Sequence, residues 1–390
     1  MSEHDTVRPS RKKRRRRRRK VLLIIEIIIL LLLLLVLFVW LKFGTINMKD
    51  LGKIKAGNIS KKTEEVLSGY TNFMIYGVDN RSSGNYSTGN TDVQILVSIN
   101  NDTKKIRMAS VYRDLYLDVD PTNGTRFAKS NAAYARGGEK EAMEMINENF
   151  DLNVDKFVTV DFAAVVDVID DVGGVDIDVS NDELAALNSR RYPTIPEVAR
   201  ISGKKATYVT RAGKQTLNGV QACAYCRIRH GAGDDWGRAR RQRAVMSQLF
   251  AKVKGASGSQ LSRIIDDVFP KVSTNFSATE MISLASAVKS YQIDKSFGFP
   301  FDETNVKING SDTMIPCTLE SNVVKLHQKM FDEANYAPSQ TVRAISSQIA
   351  QQTGTSESSA QNYSKLEGNI GVDDTDTTED TTEKGTASTQ

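Results

Sequence analysis

The longest apolar run in this chain lies near its start, where Val21 to Leu41 form 21 consecutive residues with Glu26 as the only charge. At about 1.5 Å of rise per residue, a helix of that length spans roughly 30 Å, the thickness of a bilayer core. The pattern therefore predicts a transmembrane helix over 21–43. It is longer than the apolar region of a cleaved signal peptide and lacks a small-residue cleavage site, so an uncleaved anchor is expected. Glu26 falls about one turn inside the boundary, within reach of headgroups.

Shorter runs follow with different periods. Phe73 to Val78 reads as a buried strand that delivers Asp79 at its end. Val93 to Asn100 and Lys105 to Val111 are β-rich and joined by Asn101-Asp102-Thr103, a hairpin pattern. Asn131 to Arg136 and Glu139 to Phe150 are helical in composition, interrupted by Gly137-Gly138. Val154 to Val160 predicts a strand, Ala163 to Ile169 a helix, and Val175 to Val179 a strand after Gly173-Gly174. Residues 181–204 are polar with Pro193 and Pro196, the look of a surface insertion. Helices are expected near Leu261 to Val268 and Ala278 to Tyr291, with a last one at Leu319 to Phe331. Hairpin and crossover connections together point to an α/β fold, a three-layer α/β/α arrangement around a mixed central sheet.

Charge changes the picture at both ends. Residues 1–20 carry eleven Lys/Arg against Glu3 and Asp5, a net +9, so the chain's overall +5 becomes −4 once they are set aside. Placed before the apolar run, this cluster predicts a cytoplasmic tail over 1–20 and a domain outside the cell. A tail this short leaves no room for a folded reader of DNA, so nucleic acid is not an expected partner. Residues 44–70 read as a polar stalk. Residues 71–255 read as the main domain and 256–340 as an extension of it. Residues 341–390 read as a disordered acidic Ser/Thr-rich tail. The three cysteines make no disulfide framework, and Cys223-x-x-Cys226 reads as buried small side chains rather than a redox pair.

The densest candidate chemistry lies between Tyr225 and Arg243, which hold Arg227, Arg229, Arg238, Arg240, Arg241 and Arg243 together with Asp234 and Asp235. Arginine's planar fork suits phosphate oxygens, so a glycine-broken turn rich in Arg is a candidate phosphate cradle. Arg238, Arg241 and Gln242 share a face if a helix continues through Val245 and Leu249. The charge pattern alone fits a solvated basic helix face equally well. Asp79, Asp92 and Arg113 fall at strand ends. Two carboxylates from neighbouring loops suit Mg²⁺ with substrate phosphates completing its shell, although Asp at strand ends also caps turns.

Taken in order, the motifs become distinctive: Gly77-Val78-Asp79-Asn80-Arg81, Thr91-Asp92, Arg113-Asp114, Lys129-Ser130-Asn131-Ala132-Ala133-Tyr134-Ala135 before Gly137-Gly138, Gly173-Gly174-Val175, Leu217-Asn218-Gly219, Tyr225 to Arg229, and Asp235-Trp236-Gly237-Arg238 with Arg241-Gln242. Over residues 70–255 this order resembles the LytR-CpsA-Psr family. The departures are Asn90, where a basic residue is usual, and Tyr112, where Pro is usual.

The resemblance implies a membrane-anchored phosphotransferase. It would move an anionic glycopolymer, of teichoic acid or capsular type, from a polyprenyl-pyrophosphate carrier to peptidoglycan. It implies Asp79 and Asp92 as Mg²⁺ ligands and Arg113, Arg227, Arg229 and Arg238 as the pyrophosphate clamp. Arg81, Lys129, Arg241 and Gln242 would be further substrate contacts. The base is left open among Asp92, Asp114 and Asp235, with His230 ranked below them. A lipid-pyrophosphate hydrolase and a non-catalytic polymer- or lipid-binding regulator are the competing readings.

Overall fold

The computed structural model describes residues 45–78, 91–120, 124–229 and 234–361, the side chains of Asp234 and Asp235 excepted. Its strands are β1 (Asn47–Met48), β2 (Tyr70–Val78), β3 (Thr91–Asn100), β4 (Lys105–Val111), β5 (Tyr116–Asp118), β6 (Phe127–Lys129), β7 (Lys156–Val160), β8 (Val175–Val179), β9 (Gly213–Leu217), β10 (Val272–Thr274), β11 (Gln292–Phe299), β12 (Glu303–Ile308) and β13 (Ser311–Pro316). Seven of them form the central sheet in the order β1-β10-β7-β2-β3-β4-β11. The β2-β3-β4 meander is antiparallel, whereas β7 joins β2 and β11 joins β4 in parallel, so the sheet is mixed as its connections predict.

Both faces of the meander are apolar, and both are covered. Met74, Tyr76 and Leu96 point to one side, where they pack with the helices Asn131–Phe150, Leu319–Phe331 and Gln340–Thr353. Ile95, Val97 and Ile99 point to the other, against Met246 and Phe250 of the helix Asp234–Lys254 and Leu284 of the helix Ala278–Ser286. Alternate residues of one strand thus serve two cores, which explains its near-continuous hydrophobic run. A third cluster joins the helix Phe162–Asp171, the β8-β9 hairpin and the helix Gly219–Tyr225. Gly138, with φ of 64°, supplies the left-handed kink inside the helix Asn131–Phe150.

The structure corrects three expectations. Most of the stalk assigned to 44–70 is folded onto the body: β1 pairs with β10, Leu51, Ile54 and Ile59 pack on the core, and Lys49 Nζ meets the buried Glu139 at 2.9 Å. The insertion at 181–204 contains two helices, Asn181–Leu187 and Thr194–Ser202, that bury Leu187, Ile195 and Val198. The first is started by a Ser180–Glu183 capping box. The tail assigned to 341–390 begins with an ordered helix, Gln340–Thr353, whose Val342, Ile345 and Ile349 form a buried stripe at i, i+3 and i+7. Among the described residues no helix is long and apolar enough to cross a membrane. The predicted 1–20 tail, the 21–43 span and residues 362–390 lie outside the described residues.

Candidate functional site

Asp92 stands second in β3, beside a register shift between Gly77 and Val78 of β2. Thr91 Oγ1 donates to the Gly77 and Val93 carbonyls at 3.2 and 2.7 Å, which ties this bulged strand end together. Arg113 follows β4, and its backbone is pinned by the start of the helix Asn131–Phe150. Ser130 Oγ donates to the carbonyls of Tyr112 and Arg113 at 3.0 and 3.1 Å, and the Asn131 N–H reaches Arg113 O at 3.2 Å. Gln94 Nε2 donates to the same Ser130 hydroxyl at 2.9 Å. The Lys-Ser-Asn motif therefore positions the arginine loop.

The side chains then meet across the strand ends. Asp92 accepts from Arg113 Nη1 at 2.6 Å and from Arg229 Nη2 at 3.4 Å, one arginine on each carboxylate oxygen. Arg113 Nε lies 3.3 Å from Asp114 Oδ2, an ion pair, and Asp114 Oδ1 lies 3.1 Å from Lys129 Nζ. Arg227 donates to Glu197 at 3.2 Å and lies over the Phe162 ring at 4.4 Å. Glu197 and Phe162 escape a reading by motif; the only sequence signal for Glu197 is its place in the first turn of an amphipathic helix.

Beside this mouth lies a cavity of about 700 Å³. Its apolar walls include Ile75, Ile95, Val165, Val245, Met246 and Leu249, while Asp92, Arg227, Arg229, Arg238 and Gln242 bring polar groups to it. Among the described residues, neither Arg113, Lys129 nor Arg241 lines it. A largely apolar chamber with guanidinium groups in its lining suits an amphiphile with an anionic head. Cys226 also lines the chamber, and burial pushes its thiol up to about 12. All three cysteines are free.

Arg241 occupies a different place from the one the resemblance implies. Its side chain has no exposed surface, donates to Ile228 O at 2.6 Å and faces Glu183 at 3.5 Å. Tyr225 OH donates to the same Glu183 at 3.0 Å. Burial pulls the Arg241 guanidinium downward while Glu183 opposes that; the Tyr225 hydroxyl is pushed up by burial and then by Glu183. Gln242 Nε2 reaches Cys226 O at 3.4 Å. Both side chains brace the segment that presents Arg227 and Arg229. That segment leaves the helix Gly219–Tyr225, whose first residue has no room for a side chain: a Cβ on Gly219 would lie 2.1 Å from Val166 O.

The predicted Asp79 and Arg81, with His230, lie outside the described residues, and Asp235 is placed by its backbone alone, at the start of the helix Asp234–Lys254. Among the described residues no group of three or more acidic, Cys or His side chains is arranged to hold a metal. Asp92 offers a single carboxylate, both of whose oxygens meet arginines. This donor set fits Mg²⁺ only in the manner of phosphate-transfer sites, where one or two carboxylates share the ion with substrate oxygens.

Fold and site thus define a mixed α/β domain with a cluster of arginines beside a largely apolar cavity. The chain belongs to the LytR_cpsA_psr family, which matches it over residues 39–330. It is 27% identical over 304 residues, 76% of this chain and 74% of the relative, to the polyisoprenyl-teichoic acid–peptidoglycan teichoic acid transferase TagV of Bacillus subtilis. The crystal structure of that TagV superposes with a TM-score of 0.54 at 26% identity, covering 69% of this chain and 98% of the crystallised chain. A second relative, biofilm regulatory protein A of Streptococcus mutans, is 32% identical over 230 residues, 56% of this chain and 54% of its own.

Proposed function

We propose that this chain is a membrane-anchored transferase that moves an anionic cell-wall glycopolymer from a polyprenyl-pyrophosphate carrier to peptidoglycan. The observation that carries the reading is the Asp92 carboxylate held between Arg113 and Arg229 at the mouth of an apolar cavity. A prenyl tail suits the cavity, and its pyrophosphate suits the arginines that now meet Asp92. The name of TagV supports a teichoic acid type of polymer as cargo.

The chemistry asked of the protein is positioning and charge neutralisation. Arg227, Arg229 and Arg238 bind the pyrophosphate, and Arg113 meets the charge that develops as the prenyl phosphate leaves. Guanidinium groups fixed beforehand do this without reorganisation. Asp92 and Asp79 are the proposed Mg²⁺ ligands; a bound ion would neutralise phosphate charge. The apolar run at 21–43 is the proposed anchor, with residues 1–20 cytoplasmic and the domain outside the cell.

The test is incubation of the full-length chain in detergent with a synthetic polyprenyl-pyrophosphate glycan, Mg²⁺ and uncross-linked peptidoglycan oligomers, read by mass spectrometry. Glycan joined to peptidoglycan through phosphate is the expected product. Free phosphorylated glycan as the sole product would replace transfer by hydrolysis, and lipid binding with no product would replace it by a regulatory role.

A further inference from the structure

Resting on this reading, the inference concerns what holds Arg113. Charged and polar groups run in one line across the mouth: Arg229 to Asp92, Asp92 to Arg113, Arg113 to Asp114, Asp114 to Lys129, and Lys129 Nζ to Ser311 Oγ at 2.9 Å. The last member lies 182 residues beyond Lys129, in the β12-β13 hairpin. That hairpin is seated independently of the lysine. The Met314 N–H donates to Asp114 O at 3.0 Å, Met314 bridges to Leu115, and Glu303 accepts from Trp236 Nε1 at 3.0 Å. A C-terminal hairpin thus fixes the backbone of Asp114 directly and its carboxylate through Lys129.

We infer that Asp114 is a positioning residue for Arg113, and that Lys129 and Ser311 act through it. Asp114 lies within ion-pair distance of the Nε edge of the guanidinium while Asp92 takes Nη1, so two carboxylates hold one arginine between them. Lys129 is engaged by Asp114 on one side and Ser311 on the other. Its role is to hold Asp114 in place rather than to contact phosphate. Asparagine cannot substitute: its amide has one acceptor oxygen, and its NH₂ would face either Arg113 or Lys129, both of which only donate.

The sign of one measurement separates positioning from bulk charge. Neutralising a carboxylate beside an anion site tightens anion binding if only the field matters; loss of positioning weakens it. Inorganic pyrophosphate is the probe, titrated calorimetrically into the full-length chain in detergent. We expect Asp114→Asn to weaken binding about tenfold and Ser311→Ala about two- to threefold, with melting temperatures near wild type. Lys129→Met weakens binding in the wild-type background and adds less than about twofold on top of Asp114→Asn, because coupled residues do not add. Tighter or unchanged binding in Asp114→Asn, or a full Lys129→Met effect in that background, overturns the inference while leaving the transferase reading intact. If Asp114→Asn does not fold, Ser311→Ala decides: weaker binding supports the line of contacts and unchanged binding overturns it. Failure of the wild type to bind pyrophosphate overturns the transferase reading and this inference with it.

Discussion

Arg241 donates its Nη2 to the carbonyl oxygen of Ile228 at 2.6 Å, which makes a fully buried arginine a strut beneath the two residues proposed to clamp the anion, Arg227 and Arg229. Replacing it by Met leaves Glu183 buried with its cationic partner gone, and breaking such a pair costs about 3–5 kcal/mol. Arg241→Met is therefore expected to lower the thermal midpoint by roughly 10 °C. A normal melting curve with lost pyrophosphate binding would show Arg241 to be a ligand instead.

Cys226 faces the cavity, and burial holds its thiol near 12, so little thiolate exists at neutral pH. Alkylation at pH 7.5 should run at least about tenfold slower than for an unperturbed cysteine. Farnesyl pyrophosphate should slow it further by filling the cavity. Rapid labelling, or a Cys223–Cys226 disulfide under mild oxidation, would revive the redox reading.

How far the sequence foretold this molecule can be judged residue by residue. The β2-β3-β4 meander is legible because each strand is rich in apolar residues and Asn101-Asp102-Thr103 marks the turn between the second and third. The helix Asp234–Lys254 follows from the spacing of Arg238, Arg241, Gln242, Val245 and Leu249. What local spacing hides is burial by distant partners. Glu183 lies 42 residues from Tyr225, and Lys49 lies 90 from Glu139. A polar stretch such as 181–204 or 340–353 looks like surface until its few apolar residues find a face to cover. Lys129 is visible in sequence as an expected substrate contact, whereas the bonds that Ser130 and Asn131 make to the Tyr112 and Arg113 carbonyls depend on a loop 17 residues earlier.

The C-terminal helix tests whether a polar stretch can carry part of the core. Ile349 is buried against the core, so Ile349→Ala should cost about 2–5 kcal/mol and lower the midpoint of urea unfolding. An unchanged midpoint would mean that the segment contributes nothing to the fold, as its Ser/Thr/Gln composition first suggests.

Asp167 gives a pH signature. Burial pushes its carboxyl up, but Lys204 at 2.8 Å and Lys271 together outweigh this and hold it below the ordinary value of 3.8. A folded-state value below the unfolded one adds stability that is present above 3.8 and is lost as pH falls through the lower value. Asp167→Asn should therefore be less stable than wild type at pH 7, and the gap should close below about pH 4. A gap that persists undiminished at pH 3 would locate the effect in packing rather than in charge.

The central claim is that one site joins an anion clamp to an apolar cavity, and the most direct measurement compares inorganic pyrophosphate, farnesol and farnesyl pyrophosphate as ligands of the full-length chain. Farnesyl pyrophosphate should bind at least about a hundredfold more tightly than either part, since linking two occupied subsites makes the second contact intramolecular. Leu249→Arg, which places a charge in the cavity wall, should remove that gain and leave pyrophosphate binding intact. Equal affinities for pyrophosphate and farnesyl pyrophosphate, unaffected by Leu249→Arg, would contradict the account.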